Sequence, residues 1–196
     1  MKNTAFPALL VAGMLFGSGC SSKPDSTATA KDVNDQKVEN GTVATAAGSQ
    51  TDTKDVTDYM VDLANTGRTE YELSQAAATR ATSPAVKKYA SQTVSTHTKD
   101  EAELKAEAAK RNITLPPTLS ADSQDLLTKL QGKKAGADFD KQYLDDMVDV
   151  NDKALSKEKD LLKNSQDPAL KTYVQKIIDD DQKHMDEAKQ LKTAMK

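Results

Sequence analysis

Two short stretches restrict what this chain can fold into. "SPAVKKYA" (83–90) and "DPALKTYV" (167–174) share a capping residue, then proline, alanine, an aliphatic residue, lysine and, two places on, tyrosine. A Ser or Asp side chain can accept from the open N–H groups of a first helical turn. Proline at the first helical position has no N–H to leave unbonded and a backbone angle already set for the helix. Each stretch therefore starts a helix. Apolar residues spaced alternately three and four apart run on from both starts and precede them, the period of helices that bury one stripe. Long helices are expected over 55–81, 84–111, 138–165 and 168–194.

Each repeat opens the second arm of a helical hairpin. Two such hairpins joined by one long connection make an all-α, ferritin-like four-helix bundle. The connection between helices 2 and 3 reads "NITLPPTLSADSQDLLTKLQGKKAGA". Pro116 and Pro117 stop a helix, Ser120 can cap a short one, and Gly132 and Gly136 can end it. Composition agrees with helices: aromatics are 4%, with no Trp, and 29% of residues are charged. A chain of 196 residues with net charge -3 has room for one domain and no basic footprint for nucleic acid.

The N-terminus carries an address. "MKNTAFPALLVAGMLFGSGCSSK" has a positive start at Lys2, an apolar run from Ala5 to Phe16 and small residues before Cys20, the sole cysteine. The run is too short to span a membrane. This pattern resembles a lipoprotein signal peptide over 1–19, cleaved before a Cys20 that becomes lipidated. It departs from that pattern at Gly17, where a large aliphatic residue is usual. A plain secretory signal is the alternative. Residues 20–54, rich in Thr, Ser, Ala and Asp, are expected to form a disordered tether, leaving 55–196 as the bundle domain.

The helical stripes contain charges. Glu70 falls on the first seam, His97 on the second, Asp181 and His184 on the fourth. Asn151 and Glu158 lie beside the third. At about 1.5 Å per residue, Glu70, His97, Asn151 and His184 sit about 17–23 Å along their helices from the adjoining hairpin turns, near mid-bundle. Imidazole with carboxylate suits a divalent metal such as iron, zinc or manganese, giving Glu70, His97, Asp181 and His184 as the candidate ligands. The same residues can instead form a structural cluster in which Glu70 pairs with His97 and Asp181 with His184. No thiol nucleophile, phosphate loop or nucleophile elbow is evident, so no enzymatic activity and no obligatory cofactor are expected.

The order of "TEYELSQAA", "SPAVKKYASQTVSTHTKDEAEL", "ITLPPTLS", "DFDKQYLDDMV" and "DPALKTYVQKIIDDDQKHMDEA" resembles the domain of unknown function family 4142, over about residues 55–195. The resemblance implies an exported bacterial bundle, often labelled a predicted outer-membrane protein. It implies a polar set matched by Glu70, by Thr96-His97 in place of an Asp-His pair, and by His184. Asn151 stands where the family has histidine. The expected role is a lipid-anchored envelope protein at the outer membrane facing the periplasm, or else a secreted or periplasmic one. It would serve in binding or envelope stress. The alternatives are a metal-binding bundle and a scaffold for an envelope protein partner.

Overall fold

The computed structural model describes residues 25–44 and 50–195, with side chains from Asp52 onward in the second segment. Cys20 and the signal segment 1–19 lie outside the described residues. Six helices are described: α1 (Ser26–Glu39), α2 (Gln50–Arg80), α3 (Pro84–Arg111), α4 (Ala121–Gly132), α5 (Ala137–Asn164) and α6 (Pro168–Ala194). No helix among them is long and apolar enough to cross a membrane.

The caps act as expected. The Ser83 side chain accepts from Val86 N–H, and Asp167 accepts from Ala169 and Leu170 N–H at 3.0 and 3.1 Å. Ser120 caps α4. Helix α3 ends on Asn112 in the left-handed region, φ 58°, a conformation asparagine tolerates well. Gly132 closes α4, whereas Gly136 serves as the N-cap of α5.

Helices α2 and α3 form one hairpin and α5 and α6 the other, with α2 also against α5. The start of α5 lies beside the α2–α3 turn, because buried Asp140 accepts from the N–H groups of Thr82 (2.9 Å) and Ser83 (2.7 Å) and from the Thr82 hydroxyl (2.9 Å). The α5–α6 turn lies beside the end of α3, where Arg111 Nη1 donates to Asp167 Oδ2 at 2.7 Å. So α3 and α5 run the same way, and the long connection carrying α4 returns the chain to the first end. Replacing Asp140 with alanine strands two backbone donors and is expected to cost about 2–3 kcal/mol, read as a lower urea midpoint.

The expected tether is corrected over Ser26–Glu39. Asp25 caps α1, and Ala30, Asn34 and Val38 are buried at four-residue spacing. Helix α1 packs on α2, and the Asn34 amide exchanges two hydrogen bonds with the Thr114 backbone, at 2.9 and 2.8 Å. Two alanine- and valine-sized contacts plus one amide suffice because the surface they meet is already formed. The first bundle helix also begins earlier than expected, at Gln50 rather than Asp55.

The interior divides into two apolar clusters. One, near the α2–α3 turn, contains Leu73, Tyr89, Phe139, Tyr143 and Met147. The other, toward the opposite end, contains Met60, Leu104, Leu155, Leu170 and Val174. Between them lies a layer of buried polar side chains.

Candidate metal centre

That layer is centred on Glu70, which is fully buried. Its Oε2 is 3.3 Å from His97 Nε2 and accepts from Asn151 Nδ2 at 2.9 Å. His184 Nδ1 stands 3.7 Å from the same oxygen, beyond hydrogen-bond reach, so that contact is electrostatic. The two imidazole centroids are 5.2 Å apart. One ligand atom from each of Glu70, His97 and His184 falls within 4.8 Å of the others. Three helices, α2, α3 and α6, thus supply a two-histidine, one-carboxylate set, and α5 supplies the amide that orients the carboxylate.

Burial alone would push the Glu70 carboxyl up. The imidazoles of His97 and His184 outweigh it and hold the group below the ordinary glutamate range. Burial likewise pulls His97 down, but Glu70 first, then Asp100 and Asp180, carry it above its ordinary value. An acid favoured as carboxylate beside a base favoured as imidazolium is an ion pair where no metal binds. Several buried atoms nevertheless have no hydrogen-bond partner: Glu70 Oε1, Asn151 Oδ1 and His184 Nδ1. A cluster built only for pairing would leave fewer such atoms.

Of the four ligands expected from sequence, Glu70, His97 and His184 meet and Asp181 does not join them. Glu70 pairs with His97 as the structural alternative required, but Asp181 does not pair with His184. Asp181 is buried and faces Glu158, also buried. Burial pushes both up, Glu158 to about 7 and Asp181 well above the usual range, the latter also through Glu70 and Glu158.

Glu158 lies seven residues, about two helical turns, beyond Asn151 along α5. In a helix each Cα–Cβ bond leans toward the N-terminus. With α5 and α6 antiparallel, Glu158 leans toward mid-bundle and Asp181 leans away from it, so the two close the gap.

A carboxyl raised on folding binds its proton more tightly in the native state. Its cost to stability is therefore absent below the ordinary value of 4.5 and grows as pH rises to about 7. Glu158→Gln, which keeps a donor toward Asp181 without a titrating proton, is expected to stabilise the protein on the order of 2 kcal/mol at pH 8 and hardly at all at pH 4.5. Thermal denaturation at the two pH values checks this.

A family model described as Domain of unknown function (DUF4142) matches residues 41–191. No curated protein and no solved structure matches the chain.

Proposed function

We propose that this chain, which belongs to the DUF4142 family, is an exported, lipid-anchored envelope protein whose bundle binds a divalent transition metal through Glu70, His97 and His184. The observation that carries the metal reading is the convergence of three ligand atoms from three helices within 4.8 Å, at a buried point where neighbouring polar atoms lack partners. Two imidazoles and one carboxylate form a borderline-hard donor set that suits zinc, iron(II) or manganese(II). Asn151 fixes the carboxylate by donating to Oε2, the part an outer partner plays for a ligand. Three protein ligands leave coordination positions open, so a bound metal would offer a Lewis-acid position to a small exogenous ligand.

Binding must displace the proton that Glu70 favours on His97, so affinity should fall as pH drops below neutrality. Export and anchoring rest on the apolar run before Cys20 and the absence of any other cysteine. The deciding measurement is metal content and calorimetric binding by the purified protein, with His97→Ala/His184→Ala as control. Stoichiometric binding lost in the control supports the reading. No binding, or binding unchanged in the control, leaves the ion-paired structural cluster. Palmitate labelling that disappears in Cys20→Ala supports the anchor, and an unlabelled mature protein removes it.

A further inference from the structure

A cavity of about 280 Å³ leads from the surface to the centre between α2, α3, α6 and the stretch before α4. Leu63, Leu104, Leu115 and Ile177 form its apolar wall, and Asp100, Asp180 and Asp181 its acidic one. Burial deepens along the acidic wall. Asp100 and Asp180 are half-buried, Asp181 is 4% exposed, and the cavity ends on His97 and fully buried Glu70. Two atoms with no hydrogen-bond partner, Asp181 Oδ2 and Glu70 Oε1, belong to residues that line it.

The bases at the rim are occupied. Arg68 and Lys105 both bind Glu101, at 2.9 and 2.8 Å, which offsets one of the two positive charges, and Glu72, Asp100 and Asp180, which also line the cavity, outnumber the one left over. Lys176 reaches Asp100 only at 3.9 Å and binds Glu103 more closely. Gly67 stands where a Cβ would come 3.5 Å from His97 Nδ1, so a larger side chain there would fill the inner end. Among the described residues only Glu70, His97 and His184 converge closely enough to hold an ion. The outer acids therefore attract a cation without retaining it.

We infer that this cavity is the port by which a divalent cation reaches Glu70, His97 and His184, with Asp100 and Asp180 drawing it in and Gly67 keeping the inner end open. The inference rests on the proposed metal reading. A second groove, lined by Thr93, Thr96, Lys183, His184 and Glu187, approaches from another side of α3 and α6, but its one acid is matched by a lysine, so it carries no excess of acids to draw a cation in.

Stopped-flow uptake of cobalt(II) by the purified protein, followed by its visible absorbance, tests the route. Gly67→Leu is expected to slow both uptake and release about tenfold with Kd nearly unchanged, because a plugged port alters rates and not the end states. Asp100→Asn/Asp180→Asn is expected to slow uptake several-fold at low ionic strength, with the difference fading near 1 M salt. Normal rates in both variants, or slowing in Thr96→Trp instead, overturn the port.

Failure of the metal reading shows separately, as no cobalt bound by the unaltered protein. The port is then judged on metal-free protein by the rate at which diethyl pyrocarbonate modifies each histidine. Gly67→Leu should protect His97 and leave His184 unchanged; equal rates at His97 in the two proteins reject the port.

Discussion

Asp167→Ala is expected to destabilise the protein by about 3–5 kcal/mol, the size of a lost cap together with a stranded buried charge. One carboxylate oxygen, Oδ1, caps α6 through Ala169 and Leu170. The other, Oδ2, accepts from Arg111 Nη1 at 2.7 Å, in a pair whose side chains are 9% and 3% exposed. Alanine removes both interactions and leaves the guanidinium with Glu107 alone, at 2.8 Å. Asp167→Asn separates the two roles. Its side-chain oxygen can still cap, so it should lose about 1 kcal/mol less than alanine. A double-mutant cycle with Arg111→Ala should return a coupling above about 1 kcal/mol. Additive losses in urea unfolding would show that the pair does not join the end of α3 to the start of α6.

That capping role was legible in the sequence because it is local. Asp167-Pro168 and Ser83-Pro84 specify their first turns whatever they pack against, and the four long helices fall within a few residues of expectation, apart from the early start of α2. Connectivity was legible for a related reason: a repeat that opens the second arm of each hairpin fixes where the crossover must lie.

Helix α1 was not legible. Its buried stripe is Ala30, Asn34 and Val38, too little apolar surface to mark a helix until the surfaces of α2 and the crossover are there to receive it. Composition reports what a segment can bury by itself, and α1 buries little by itself.

The candidate centre was legible as a stripe and not as a set of partners. Period alone placed Glu70, His97 and His184 inward at one depth. It also placed Asp181 inward, correctly, but assigned it to His184 because the two share a helix face. Which of two neighbours an inward acid meets depends on the lean of side chains across an antiparallel pair, and no single helix's spacing records that. The same limit hid the Asn151 contact. Asparagine looked like a lost ligand, whereas its amide holds the one carboxylate on which both imidazoles converge.

Glu70→Ala should therefore have the largest functional effect, and its pH dependence separates the two roles of the cluster. In metal-free protein the substitution removes the acceptor of Asn151 and the counter-charge of His97 and opens a void. The expected cost is about 3–5 kcal/mol. Glu70's share of that stabilisation is complete above its ordinary 4.5 and fades as pH falls toward its lower native value. His97's share is complete below its ordinary 6.5 and is lost as pH rises through its higher native value. The difference between unaltered protein and variant should then peak between pH 4.5 and 6.5 and shrink on either side.

With metal present the profile should change shape. A cation replaces the proton on His97, so the stabilisation conferred by Glu70 should keep rising through neutral pH. Affinity in the variant should drop by more than the 10–100-fold typical of losing an outer partner. Thermal melts of both proteins across pH, with and without zinc, distinguish these cases. A peak near pH 5–6 unmoved by zinc identifies a structural ion pair, because only a ligand that competes with the His97 proton can shift the maximum upward.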